Sequence, residues 1–285
     1  DLVIDQFHGI PFFTPIYVRA KKLAYIHEVT KEVWRKNQLP KPLNIIPAIL
    51  GETFEKLFFK LFYRNIKFLT VSESTQEDLI DFGIQKKNIR IINNGVYSIT
   101  LNDIEKEKKI TLLYLGALAK DKGTDDLISL FIRLKNKHKD WQFWVAGKGS
   151  KEYFEIFKKN KSIKYFGFVS EHKKFELFKK AHLFINLSIR EGWGLTNIEA
   201  NSQETPVVGF DVPGVRDSVV HNKTGVLVNA NDNSALENAI EELIENKSKY
   251  SELSKNAKAW SEKFSWQKAG RQSLDYLEEV LASSF

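Results

Sequence analysis

Two α/β domains, each built on a doubly wound parallel sheet, are the architecture this sequence predicts. Three observations predict it. Short apolar runs alternate along the chain with stretches of helical periodicity, the order that places helices on both faces of a parallel sheet. Several of those runs close on a glycine, as strands do when they turn tightly at one edge of such a sheet. Finally, 285 residues with 42% hydrophobic and 13% aromatic content can bury two sizeable cores.

In chain order, residues 2–4, 22–26, 68–71 and 89–92 are predicted strands. Between them, residues 43–64 carry helical spacing. Ser74 is expected to cap a helix running to Phe82, with Glu77 completing a capping box and Gly83 ending it. This is half of an α/β domain, because the strand, glycine-rich turn and helix that usually open a nucleotide-type unit do not precede Asp1. The chain also starts without Met and contains none, so it is expected to be part of a longer product. A polar, charged linker follows over residues 96–109, and the boundaries are set at 1–97, 98–265 and 266–285. In the second domain, residues 110–115 are a strand closing at Gly116 and residues 124–138 a helix. Residues 142–146 are a strand closing at Gly147-Lys148-Gly149, and residues 163–166 one closing at Gly167. Residues 205–210 and 225–228 are further buried runs, separated by the turn at 211–214. The last segment, 266–285, is expected to be a helix crossing back to the first domain.

The most informative stretch is Arg190-Glu191-Gly192-Trp193-Gly194-Leu195-Thr196-Asn197-Ile198-Glu199. Gly192 and Gly194 let backbone approach a ligand closely, and a helix starting near Leu195 leaves its first amides unpaired and partly positive. An anion such as phosphate suits that turn. Glu199 lies about 6 Å along the helix axis, placed to accept hydrogen bonds from a ribose diol beside the phosphate. Glu191 stands on the other side of the glycines, where a sugar hydroxyl could reach it. A helix start with surface glutamates is the plainer reading of a lone Gly-x-Gly. Lys122-Gly123 precedes another helix start, where an ammonium could pair with phosphate, although a lysine in a loop is commonly solvated. His27 follows the second strand and could meet a sugar hydroxyl or phosphate, or serve structure alone.

A net charge of +7 asks for an anionic partner: a nucleotide-sugar diphosphate, an acidic membrane surface or nucleic acid. Nucleic acid fits least, since basic and acidic residues alternate and no zinc-finger or RNA-binding aromatic motif is present. The absence of cysteine excludes disulfides and thiolate metal sites, which suits the cytoplasm. No apolar run has the length of a bilayer span. Residues 53–64 alternate apolar pairs with Lys56, Lys60 and Arg64 at helical spacing; such a helix could lie on an anionic membrane, or bury its aromatic face and wet its cations.

Taken together, the glutamates eight positions apart, Pro206-Val207-Val208, the Gly214 turn and Thr224-Gly225 resemble the signature of family 4 glycosyltransferases, retaining enzymes of the GT-B fold. That resemblance implies a nucleoside diphosphate sugar as donor, bound by the second domain, and a glycan, lipid-linked or small-molecule acceptor on the first. It implies donor contacts from Gly116, Lys122, Gly147, Lys148, Phe168, Val169, Gly192, Trp193, Gly194, Leu195, Thr196 and Glu199. Glu191, His27 and Lys122 become the catalytic candidates, with Phe168 and Val169 against the base, although packing alone also explains those two. Asn94-Gly95 is similar to the family's turn at the domain junction. Ala117 stands where the family carries Arg, so a bidentate partner for the diphosphate is missing. No Asp-x-Asp pair for a divalent ion occurs, so no metal or other cofactor is expected. The expected location is cytoplasmic, with peripheral contact on the inner membrane face as an option. A nucleotide-sugar-binding, non-catalytic subunit of the same fold is the alternative.

Overall fold

The computed structural model describes residues 1–36, 43, 45–97, 99, 101 and 103–283, which leaves Asn44 of the expected 43–64 helix, Ser98, Thr100 and Asn102 of the expected linker, and Ser284 and Phe285 of the expected last helix outside the described residues. The chain divides into two compact units: Asp1–Gly95 with Glu191–Trp193 and Trp266–Phe285, and Val96–Arg190 with Gly194–Ser265. Both are α/β with parallel sheets, as the alternating pattern predicts.

The amino-terminal unit opens with β1 (Leu2–Gln6), α1 (Thr14–Tyr17) and β2 (Lys21–Ile26), then a 3₁₀ turn (Lys31–Lys36) and α2 (Ile45–Phe58). The helix expected over 43–64 is thus α-helical only to Phe58 and continues as a π-helical turn, Phe59–Tyr63. There follow β3 (Lys67–Thr70), α3 (Glu73–Asp81) and β4 (Ile89–Ile91), and the four strands pair in chain order. On one face Ala24, Ile26, Phe59, Tyr63, Phe68 and Leu79 form a core, in which large apolar side chains such as Ile26, Phe59, Phe68 and Leu79 each contribute on the order of 2 kcal/mol by leaving water. The cap of α3 is Ser72 rather than Ser74. Ser72 is still extended, and its hydroxyl accepts from the amide of Thr75 at 3.2 Å, which starts the helix two residues early and puts Ser74 inside its first turn. Gly83 does close the helix, at φ +93°.

The second unit runs β5 (Thr111–Leu115), α4 (Thr124–Lys137), β6 (Gln142–Ala146), α5 (Lys151–Lys159), β7 (Ile163–Tyr165), α6 (Glu171–Lys180), β8 (Leu183–Asn186) and α7 (Leu195–Ser202). It continues with β9 (Val207–Phe210), α8 (Val215–Ser218), β10 (Gly225–Val228), α9 (Asn233–Glu245) and α10 (Lys247–Ser261). Its six strands lie in the order β10-β9-β8-β5-β6-β7. The order reverses between β5 and β8, and in open parallel sheets ligands bind at the strands' carboxyl ends beside such a reversal. Helix α4 shows why these sequences choose helix. Leu127, Leu130, Phe131 and Leu134 share one buried face, Asp125 and Asp126 open it, and Lys135 and Lys137 close it in favourable alignment with its dipole.

The final helix, α11 (Trp266–Ala282), groups with the amino-terminal unit. Ala269, Tyr276 and Val280 pack with Leu23, Leu69 and Ile92 on the face opposite α2. Tyr276 donates to the carbonyl of Phe68 at 3.2 Å, and Arg90 meets Glu279 at 2.6 Å. Among the described residues no helix is long and apolar enough to cross a membrane.

Candidate nucleotide-sugar site

Three strands of the second unit end side by side, since Leu115 pairs with Ala146 and Val145 with Tyr165. The turns leaving them are laced together by backbone bonds. The amide of Gly116 donates to Ala146, that of Leu118 to Lys148 at 2.7 Å, and that of Gly147 to Gly167 at 2.8 Å. Gly147 sits at φ +147°, and a Cβ there would overlap the carbonyl oxygen of Gly116. Only glycine lets the two turns touch. Over them opens a cavity of about 350 Å³. Five of the predicted donor residues, Gly116, Gly147, Lys148, Phe168 and Val169, line it, with Ala117 among them. Phe168 is 72% exposed, which argues against a packing role, and the Lys148 ammonium lies 4.4 Å from its ring centroid.

Two residues of that lining, Glu171 and Lys174, went unrecognised in the sequence. Both lie in the first turn of α6, which Ser170 caps by accepting from the amide of Lys173. The Lys174 ammonium bonds the Glu199 carboxylate at 2.6 Å and that of Glu171 at 2.9 Å. Glu199 is 6% exposed. Burial pushes its carboxyl above the ordinary range, and the hydrogen bond from Lys174 pulls back only in part. Burial lowers the Lys174 value in turn, yet its two carboxylate partners hold it above the usual lysine range. The two upward shifts pull opposite ways for the pair. The 2.6 Å contact favours the ionised form of both partners.

Helix α7, which carries Glu199, starts at Gly194 in the left-handed conformation, φ +66° and ψ 50°. Beneath that turn lies a polar network. Asn186 donates to Asn197 at 2.9 Å, Asn197 donates to Ser218 at 2.8 Å, and Ser218 donates to Gly214 at 3.0 Å. Asn186, Asn197 and Ser218 are all buried, so the network ties β8, α7 and α8 into one support. Leu195 and Thr196 form the half-buried first turn, where helix amides lack partners further back in the helix. Nothing in the spacing of Asn186 or Ser218 marks them from sequence.

Lys122 ends a 3₁₀ turn, Lys120–Lys122, ahead of Gly123, the left-handed cap of α4. The carbonyl of Asp121 accepts from the amide of Ile189 at 3.0 Å, fixing this turn to the segment that leads toward Glu191. Glu191, Gly192 and Trp193 themselves group with the amino-terminal unit, as does His27. A Cβ on Gly192 would stand 2.7 Å from the His27 carbonyl oxygen. The same carbonyl accepts from Thr75 at 2.9 Å. Burial pushes the His27 imidazole below its ordinary range, with Glu28 acting in the opposite direction and His8 in the same one, which favours the neutral ring. Among the described residues no group of three or more His, Cys, Asp or Glu could hold a metal ion.

The family of Glycosyl transferases group 1 matches residues 101–260, more than half of the chain. This chain belongs to that family. Among its curated relatives is the capsular polysaccharide biosynthesis glycosyltransferase CapM of Staphylococcus aureus, 29% identical over 202 residues, 63% of this chain and 52% of CapM. The chain spans about half the length of that relative. Sucrose-phosphate synthase from Thermosynechococcus elongatus superimposes with a TM-score of 0.79 at 17% identity, over 99% of this chain and 74% of that one. TarM of S. aureus, solved with Fondaparinux, alpha-GlcNAc-glycerol and UDP, gives a TM-score of 0.72 at 19% identity, over 94% and 52%. At those identities the likeness establishes the GT-B fold.

Proposed function

We propose that this group 1 glycosyltransferase chain binds a nucleoside diphosphate sugar on its second unit and transfers the sugar, with retention as in family 4, to an acceptor hydroxyl held by the amino-terminal unit. The observation that carries the reading is the cavity at the carboxyl ends of β5, β6 and β7, with the buried carboxylate of Glu199 reaching it through Lys174. A UDP-sugar is the donor to try first, since TarM was solved with UDP. In this reading Phe168 and Val169 meet the base, Glu199 takes the ribose diol, and the diphosphate lies against the turns at Gly116 and Gly147 and the first amides of α7. Lys122 and those amides stabilise the charge that grows on the leaving diphosphate. Glu191 orients the donor sugar through its hydroxyls, and neutral His27 donates to or accepts from a hydroxyl. No side chain is assigned as nucleophile, because departure and attack on one face of the sugar need none.

The acceptor is a glycan or a lipid-linked sugar. A membrane-presented acceptor is supported by the amino-terminal unit, where exposed Ile10, Leu50 and Phe54 line a second, apolar cavity of about 340 Å³ and Phe12, Ile49, Leu57 and Leu61 are exposed as well. Ala117, which brings no cation to the donor cavity, favours a second reading in which the protein binds nucleotide sugar without turning it over. Calorimetry with UDP-glucose and UDP-N-acetylglucosamine, followed by a turnover assay, tests both. Binding that drops at least about tenfold in Glu199→Ala, the loss of one charged hydrogen-bonding group, supports the site. Unchanged affinity removes Glu199 from it, and tight binding without turnover selects the second reading.

A further inference from the structure

The donor cavity brings two cations to its wall, Lys148 and Lys174, and the two are held differently. Lys148 rests on an exposed ring, whereas Lys174 is anchored between carboxylates, one of them nearly inaccessible to water. An ammonium has three N–H groups. Glu199 and Glu171 take two, and the ammonium, which also stands 5.1 Å from the Phe175 ring centroid, belongs to the lining of the cavity. An ion pair this buried is a poor source of stability, since desolvating both charges offsets most of their attraction. Its position instead suits a ligand-binding role. Glu199 must be ionised to accept two hydroxyls, and burial alone drives it toward its neutral form.

We propose that Lys174 is a positioning residue of the nucleotide-sugar site: its ammonium holds the Glu199 carboxylate ionised and in place for the ribose diol, and adds its remaining N–H to the anionic ligand. The ligand in this inference rests on the function proposed above; the Lys174–Glu199 coupling does not. Lys174 reaches Glu199 from α6, so donor affinity depends on how α6 sits beside α7. Glu171, 69% exposed at its side chain, competes with Glu199 for the same ammonium. Among the other charged groups on the helices packed against α7, Lys173 and Lys180 of α6 pair with Glu176, Lys179 with Glu204, and Arg216 of α8 with Asp211. Lys258 of α10 donates to the carbonyl of Ser202, and Asp217 of α8 accepts from the amide of Gly214.

The test is the titration of Glu199 by carboxyl carbon NMR in the ligand-free protein, paired with UDP-glucose affinity measured from just above the parent protein's Glu199 titration upward in pH. This probe has no phosphate proton that titrates in that window. In Lys174→Gln the Glu199 titration moves up by about one unit or more, since a unit corresponds to ~1.4 kcal/mol of lost pairing. UDP-glucose affinity then falls about tenfold as pH drops through the raised value, while the parent protein stays flat within about twofold. Lys174→Arg restores the parent profile. Glu171→Gln removes the carboxylate that competes for Lys174 and moves the Glu199 titration down. A Glu199 titration that stays in place in both Lys174→Gln and Glu171→Gln overturns the inference, whatever the nucleotide does. If the titration moves but the parent protein binds no UDP-glucose at any pH, the coupling stands and the proposed ligand falls.

Discussion

At Gly194 the presence of hydrogen in place of a methyl group is what lets α7 begin where it does. A Cβ there would stand 2.6 Å from both Asn197 Nδ2 and Ser218 Oγ, in a backbone conformation that side chains resist. Gly194→Ala is therefore expected to cost about 1–3 kcal/mol in urea unfolding and to weaken nucleotide binding, because α7 carries Glu199. A loss of stability without any change in affinity would separate the turn from the site. Lys106 makes a different residue-scale prediction. Its stem is partly exposed, but its ammonium is enclosed and donates to Ala181 and Thr205 at 2.6 Å each. Burial, with Lys179 nearby, pushes its pKa down to about 7, and Glu204 resists the shift. In the unfolded chain lysine titrates near its ordinary value, so between about pH 7 and 10 the unfolded state holds more protons and stability rises with pH. The gain is complete above the unfolded value and absent below the folded one. Denaturation at pH 7 and pH 9.5 should show that rise in the parent protein and lose most of it in Lys106→Met.

Helices and strands explain which parts of the molecule were legible beforehand. The strands Gln142–Ala146 and Gly225–Val228 coincide with the apolar runs that predict them, because a buried parallel strand is continuous in hydrophobicity and closes at a turn. The start of α3 was misplaced by two residues, since Ser72, Ser74 and Thr75 offer similar caps and only the extended backbone of Ser72 decides among them. Ser72→Ala should cost about 1 kcal/mol, against a far smaller effect for the same change at Ser74, as thermal melting would record. Lys174 was illegible for another reason. In the run His172-Lys173-Lys174 it resembles a wet helix face, and its partner lies 25 residues downstream on a different helix. Helix α2 mixes both situations. Phe59 and Tyr63 in the turn that follows it are fully buried, yet Phe54, Leu57 and Leu61 face outward. Lys56 is already paired with Asp81 at 3.1 Å, so Lys60 and Arg64 are the cations to reverse. Sedimentation with anionic liposomes should bind the parent protein and fall severalfold for Lys60→Glu/Arg64→Glu and for Leu57→Ser/Leu61→Ser, since each cation near such a surface contributes about 1 kcal/mol. Equal sedimentation of all three proteins would remove the membrane from the acceptor's presentation.

For the whole molecule, the division into two units makes a claim about where donor affinity resides. The second unit has its own six-stranded sheet and its own core, centred on residues such as Phe131, Phe143, Phe178, Phe184 and Ile240. Its donor cavity is lined from within that unit, and so is the Lys174–Glu199 pair. Even its ends are tied internally, since Val96 donates to Phe264 at 3.2 Å and pairs with Ser265. Glu191–Trp193 groups instead with the amino-terminal unit, and with it the side chain assigned to the transferred sugar. Base, ribose and diphosphate contacts should therefore survive separation, whereas contacts to the sugar should not. Residues 96–265 expressed alone are expected to fold cooperatively and to bind UDP within about threefold of the full chain, a difference under ~0.7 kcal/mol. The same fragment should lose any preference that the full chain is found to have between UDP-glucose and UDP-N-acetylglucosamine, because that choice rests with groups the fragment no longer holds in place. A folded fragment that binds no UDP would show that the amino-terminal unit supplies part of the nucleotide site. A fragment that keeps the sugar preference would move the assignment of sugar recognition away from Glu191 and onto the turns at Gly116 and Gly147.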